Sequence, residues 1–243
     1  MNYNEIKSRI ISYDPLKWWG DDVDARFYLI LKIENVMNKK ILDIGGGIGI
    51  VLAELDKNNF RVNLDASFND LKKCKRIDSE IHCVCSTMDN LPFVENSFDL
   101  VLSSSSLQYI KNNDLKSNKI EEKNGIKKYP SIQKTLSEVY RTMKNNSKLI
   151  IVTPNNAYYN SYMLTYNELK MAIKEFFPDY TLKFYNTFPK LSKKFRKLNL
   201  ANSIPKIMLK IKNPVKVISS LIQDDNGITK KSVSFYLEAI KSQ

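Results

Sequence analysis

The chain has few of the residues that most often carry chemistry on their own. Among 243 residues there are one histidine, three cysteines, seven glycines and eight prolines. The single His82 lies in a short stretch with apolar neighbours, which points to a structural role and leaves no histidine for a catalytic triad or a metal cluster. Cys83 and Cys85 stand two apart in a strand-like run, and Cys74 precedes them. No ligand set accompanies them, so no metal is expected; three buried, reduced thiols fit a reducing compartment. The scarcity of glycine and proline excludes collagen-like and Pro/Gly-rich disordered chains. No apolar run approaches the ~18 residues that a membrane span needs. The first residues, MNYNEIKSRI, contain neither an apolar signal core nor a small-residue cleavage site, so a cytoplasmic location is expected.

What is abundant is positive charge, and it is unevenly spread. The net charge is +12. Residues 1–110 hold 13 Lys/Arg against 16 Asp/Glu, whereas residues 111–243 hold 25 against 10. The whole excess lies in the second part, which suggests an anionic partner or surface there.

Hydrophobic periodicity sets out an alternation of strands and helices. Residues 24–37 read as a helix behind an irregular arm, and 1–38 form this N-terminal region. Strands follow at 40–44, 61–65, 81–86, 98–103 and 148–154, with helices after 49, over 68–77 and over 130–143. The stretches 41–44, 100–102 and 149–152 are continuously apolar, as parallel strands covered on both faces are. The pattern predicts an α/β, Rossmann-like, doubly wound, mostly parallel sheet. Residues 111–129 are rich in Lys and Asn and read as a flexible insertion past the fourth strand. The later part reads as a helix over 165–177, a strand over 181–185, a basic helical cap over 188–222, and an antiparallel last strand over 232–240. All this is read as one domain, with a core over 39–155 and a substrate-side half over 156–243.

The motif with the most chemical content is Asp43-Ile44-Gly45-Gly46-Gly47-Ile48-Gly49, between a strand and a helix. Glycines there let the backbone turn tightly and let a ligand lie against it. The dinucleotide register G-x-G-x-x-G fails, because its sixth position is Ile50 or Leu52. A phosphate loop is excluded because no Lys-Ser/Thr follows. Asp65 closes the second strand about 20 residues on, where an acid can accept bonds from two ribose hydroxyls. The ligand is therefore a nucleoside that need not carry a pyrophosphate.

These residues, followed by Asn90-Leu91-Pro92-Phe93 and Ser97-Phe98-Asp99-Leu100-Val101, resemble the class I S-adenosylmethionine-dependent methyltransferases, and among them the type 11 methyltransferase domain. The resemblance runs from about residue 39 to 155. It implies a seven-stranded sheet with an antiparallel last strand and S-adenosylmethionine as cofactor. It also implies cofactor-binding roles for Asp43, Gly45, Gly46, Gly47, Gly49, Asp65 and Ala66, and for Ser103 and Ser104 after the fourth strand. Where the family often has an acid that meets the adenine, this chain has Thr87; Thr87, Asp89 or the Met88 N–H would serve there.

Methyl transfer is an in-line displacement on an activated carbon, so alignment and exclusion of water are the main tasks. No catalytic residue is assigned. Candidates for the substrate pocket are Tyr13, Trp18, Trp19, Arg26, Gln108, Tyr109, Tyr158 and Tyr159. No Asn-Pro-Pro-Tyr follows the fourth strand, which speaks against amide or exocyclic-amine acceptors. Residues 180–223 carry ten Lys/Arg and no Asp or Glu, interleaved with apolar residues. Such a stretch reads as a helical cap over the substrate pocket with solvated lysines, or as suited to a lipid-like or anionic acceptor or an anionic membrane surface met peripherally, better than to nucleic acid. The alternative reading is a basic RNA- or membrane-binding protein on a methyltransferase-like fold without turnover.

Overall fold

The computed structural model describes residues 29–30, 32–123, 125–154, 163–185, 222–224 and 234–242. Tyr13, Trp18, Trp19, Arg26, Tyr158, Tyr159 and the basic stretch up to residue 221 lie outside them. Of the helix expected over 24–37, residues 29–30 and 32–33 are helical, and Leu29, Ile30 and Ile33 are buried.

The main sheet is built from β1 (Lys40–Ile44), β2 (Phe60–Asp65), β3 (His82–Cys85), β4 (Phe98–Ser104), β7 (Met143–Pro154), β8 (Tyr180–Tyr185), β9 (Ile222–Asp224) and β10 (Ser234–Ile240). Its order is β3-β2-β1-β4-β7-β10-β8-β9. The first five strands run parallel, and β10 is antiparallel to both β7 and β8. The expected antiparallel last strand is thus present, inserted between two others. The three-residue β9 adds an eighth strand to the seven expected, and it takes in Ile222, the last residue of the expected helical cap.

Two apolar layers cover the sheet. One face packs Leu42, Ile44, Val101, Leu136, Val139, Phe177 and Phe235, and the other packs Leu29, Ile30, Ile41, Leu52, Leu102 and Ile150. Alternate residues of the continuously apolar strands supply both faces, which is why those strands show no polar side. The helices are α1 (Ile50–Ala53), α2 (Phe68–Ile77), α3 (Leu107–Lys116), α4 (Pro130–Thr142) and α5 (Tyr166–Lys174). Three of the longer ones start where local chemistry favours it. In α2 the Ser67 side chain accepts from the Asp70 N–H at 3.3 Å, and α4 opens on a proline. In α5, Thr165 and Glu168 form a reciprocal capping box.

The described residues of the insertion expected to be flexible form regular structure. Residues 111–116 complete α3, and β5 (Glu121–Lys123) and β6 (Ile126–Lys128) pair as a small antiparallel hairpin. Lys111 and Asp114, two polar residues that favoured a solvated loop, are buried by partners far along the chain. Lys111 donates to Glu168 at 2.9 Å and to the Met163 carbonyl at 2.6 Å, while Asp114 accepts from the Ser131 N–H at 2.9 Å. Two of the three cysteines also differ from expectation: Cys74 is buried as expected, but Cys83 is half-buried and Cys85 exposed. The cause is position, since β3 is an edge strand with a partner on one side only. His82 on the same strand is exposed and stacks on the Phe60 ring at 4.4 Å between centroids.

Candidate active site

The order of strands reverses between β1 and β4, and a crevice forms beyond their carboxyl ends. A cavity of about 630 Å³ opens there. Its wall takes Asp43 and Gly45–Gly47 after β1, Leu64–Ser67 after β2, Ser86–Met88 after β3, and Ser104–Ser106 with Gln108, Tyr109, Ile110 and Asn113 from β4 and α3.

The glycine run makes the turn from β1 into α1. Gly45, Gly47 and Gly49 adopt positive φ angles of 68°, 56° and 73°, a region costly for any other residue. They are not equivalent. A Cβ on Gly45 would meet the Ser106 Cβ at 2.5 Å, whereas a Cβ on Gly47 would meet nothing within 4 Å. Gly47 is therefore the point at which bare backbone faces open space. Its N–H donates to Asp65 Oδ2 at 2.8 Å, and the Ser67 N–H donates to Asp65 Oδ1 at 2.7 Å.

The opposite wall comes from a run of four serines, of which Ser104, Ser105 and Ser106 line the cavity. Ser103 Oγ and Ser106 Oγ share a hydrogen bond of 2.7 Å, and Ser106 Oγ donates to the Ile44 carbonyl at 3.0 Å, tying the start of α3 to the end of β1. Ser105 holds a left-handed conformation, φ 54°, where the chain leaves β4 for α3. The Gln108 amide donates to the Ser105 carbonyl at 2.7 Å, which fixes its orientation, and its Oε1 and the Ser104 Oγ are buried without a hydrogen-bond partner. Tyr109 stands 64% exposed at the rim.

Of the residues picked from sequence, the fold brings Asp43, Gly45, Gly46, Gly47, Asp65, Ala66, Thr87, Met88, Ser104, Gln108 and Tyr109 to one cavity. Gly49, Asp89 and Ser103 do not line it. Gly49 lies over Cys74 and Asn63, and Ser103 is fully buried behind Ser106. Thr87 and Met88, but not Asp89, form the wall after β3. Sequence reasoning missed Asp70, Ser105, Ser106, Ile110 and Asn113. Asn113 would have followed from extending α3 through the Lys/Asn-rich stretch, because it lies one helical turn beyond Tyr109. Among the described residues no group of His, Cys, Asp or Glu could hold a metal ion, and no helix is long and apolar enough to cross a membrane.

Comparison with known proteins bears on this geometry. An uncharacterized protein of Methanocaldococcus jannaschii is 32% identical over 127 residues, 52% of this chain and 46% of that protein. The chain thus spans about half the length of the curated relative it matches. Among solved structures, an S-adenosylmethionine-dependent methyltransferase of Thermotoga maritima, described as a possible histamine N-methyltransferase, superposes with a TM-score of 0.58 at 12% identity, covering 99% of this chain and 100% of that one. Phosphoethanolamine N-methyltransferase 2 of Haemonchus contortus, in complex with S-adenosyl-L-methionine, superposes with a TM-score of 0.55 at 20% identity, covering 89% of this chain and 52% of that one. At such identities the likeness is one of fold. The family model described as a methyltransferase domain matches residues 42–151, the stretch that runs from β1 to β7.

Proposed function

We propose that the protein transfers a methyl group from S-adenosylmethionine to a small-molecule acceptor. The observation that carries this reading is the glycine turn at the switch point, with Gly47 bare toward a cavity and an acid at the end of the neighbouring strand.

The residues present fit the cofactor. The cavity volume is within the ~300–1,000 Å³ usual for small-ligand sites. Its described wall holds Asp43, Asp65 and Asp70 and no Lys, Arg or His, a lining suited to a cation. Gly45–Gly47 would hold the methionine part, Asp65 the ribose hydroxyls, and Ala66, Thr87 and Met88 the adenine end. Asp65 already accepts two backbone N–H groups, but a carboxylate has about four lone-pair sites, so two remain. When bound, S-adenosylmethionine supplies a methyl group already activated on a sulfonium. The chain's own part is to align the acceptor and to keep water out. Gln108 and Tyr109, on the α3 side of the cavity, are the described residues placed to meet an acceptor.

The acceptor is read as small or lipid-like, and as anionic, on the strength of the +15 charge of residues 111–243. Changing Lys193, Lys194, Arg196 and Lys197 to Gln should remove a preference for anionic over neutral acceptors or vesicles and leave cofactor affinity intact. The reading itself is tested by calorimetric titration with S-adenosylmethionine, S-adenosylhomocysteine and NAD. Binding of the two sulfur compounds is expected, and its loss in Gly47→Val, whose side chain would enter the cavity. Binding of NAD alone would overturn the proposal.

A further inference from the structure

The glycine loop rests on a residue that no motif marks. Asn63 lies on β2 two positions before Asp65, so the two side chains leave the same face of the strand. Its Nδ2 donates to the Gly47 carbonyl at 2.9 Å, while Asp65 Oδ2 accepts from the Gly47 N–H at 2.8 Å. Gly47, the residue with the bare face, is thus held at both of its backbone polar groups by one strand face. Without that hold a left-handed glycine has more conformations open to it than any other residue.

The position of Asn63 supports more than a space-filling role. It is fully buried, at 0% exposure. The loop lies directly on it: a Cβ on Gly46 would fall on Asn63 Oδ1 and Asp43 Oδ2, and a Cβ on Gly49 would fall on Cys74 Sγ, with Asn63 Nδ2 at 3.3 Å. Cys74 is in hydrogen-bonding contact with the Asn63 side chain, and burial pushes its thiol up to about 12, so it stays a neutral packing group. A buried amide is costly unless its hydrogen bonds are used. Here the amide donates to the loop glycine whose bare face is open.

We infer that Asn63 is a positioning residue for the cofactor loop. It fixes the Gly47 peptide so that the loop presents its bare backbone to the cavity before any ligand arrives. For the ligand's identity, the inference rests on the S-adenosylmethionine reading above. The hold on the loop does not.

The test uses the full chain and two readouts. Asn63→Leu keeps the volume and removes the donor, and Asn63→Asp keeps the shape and turns an oxygen toward the Gly47 carbonyl. Amide hydrogen exchange of the ligand-free protein should show the 45–49 segment protected in wild type and exchanging faster in both variants, with the β4 and β7 segments unchanged. S-adenosylhomocysteine affinity should fall roughly three- to tenfold, as expected for one neutral hydrogen bond. A purely structural residue would instead lower the melting temperature and leave loop exchange and affinity at wild-type values in the folded variant; that result overturns the inference. Should neither variant fold, the wild-type exchange decides: a 45–49 segment as unprotected as an open loop means that Asn63 does not hold it. Should wild type fail to bind S-adenosylhomocysteine, the cofactor reading falls, and the loop exchange still judges Asn63.

Discussion

Beneath the glycine loop, two side chains of β2 hold a single glycine at its N–H and its carbonyl. Behind α3, side chains from two distant stretches converge on a single carboxylate. The first network is local, with partners 16 and 18 residues apart, and apart from Asp65 it is neutral. The second joins Lys111, Tyr129 and Glu168, with 57 residues between the lysine and the glutamate, and it is ionic and buried. Glu168 Oε2 accepts from Lys111 Nζ at 2.9 Å and from the Thr165 N–H at 2.8 Å, and Oε1 accepts from the Tyr129 hydroxyl at 2.9 Å. Both flank the same cavity, for α3 also carries Gln108, Tyr109 and Asn113. The difference teaches a division of labour. The β2 network sets the shape of a loop, and the α3 network sets where a whole helix stands against α5 and the start of α4.

The sharpest way to break this comparison is to remove one charge from the ionic network. Lys111→Met strands the buried Glu168 carboxylate, and losing one partner of a buried pair costs about 3–5 kcal/mol. Chemical unfolding should show that loss. The double change Lys111→Met with Glu168→Gln should recover much of it, since glutamine keeps an acceptor for the Thr165 N–H and can turn its amide N–H toward the Tyr129 hydroxyl oxygen without the charge. S-adenosylhomocysteine affinity of the folded single variant should stay near wild type. A fall as large as that of an Asp65 variant would show that the two networks act as one.

The complementary change acts on the loop side. Asp65→Ala removes a charged acceptor shared between the loop and the proposed ribose contact, worth ~1.5–3 kcal/mol, or roughly ten- to a hundredfold in affinity. Global stability should move less than in Lys111→Met. An Asp65→Ala protein that binds S-adenosylhomocysteine as wild type does would remove the ribose assignment.

The same contrast explains what could be read from sequence. The run Asp43–Gly49 and the acid at Asp65 are legible because backbone geometry leaves little choice of residue there: a turn with three positive φ angles accepts glycine and little else. The strands β1, β4 and β7 are legible because burial on both faces leaves no polar positions. Lys111 and Asp114 were unreadable for the opposite reason. Each is polar in a stretch of polar residues, and only partners brought in by the fold separate a buried polar contact from a solvated loop. Asn63 escaped notice because Arg61, Asn63 and Asp65 alternate with Val62 and Leu64, which reads as a solvated strand face although the fold buries Asn63. Cys83 and Cys85 were misjudged because an apolar neighbourhood in sequence does not say that a strand lies at the edge of a sheet.

The smallest expected effect is a pH dependence that belongs to one network alone. Burial first, and then the Glu168 carboxylate that accepts its hydrogen bond, raise the Tyr129 hydroxyl above its ordinary value of 10.0. A raised acid in the folded state contributes stability that is present below pH 10 and is lost as the pH climbs from there, because the unfolded chain releases its proton first. Lys111 acts in the other direction. Burial lowers its ammonium below the ordinary 10.5, against the pull of Glu168, so the folded chain sheds that proton earlier and gains stability as the pH rises toward 10.5. Near pH 10 the two neighbours oppose each other, and above about 10.5 Tyr129 acts alone. Unfolding free energies of wild type and Tyr129→Phe, followed from pH 9 to 11.5, should therefore diverge only at the alkaline end. Wild type should lose stability faster there, by a slope difference approaching about 1.4 kcal/mol per pH unit for one proton. Asp65→Ala should run parallel to wild type over the same range, because the loop network holds no group that titrates there apart from the Cys74 thiol, itself pushed up to about 12. Parallel curves for wild type and Tyr129→Phe would mean that the Tyr129 hydroxyl is not held by Glu168, and that α3 is anchored by Lys111 alone.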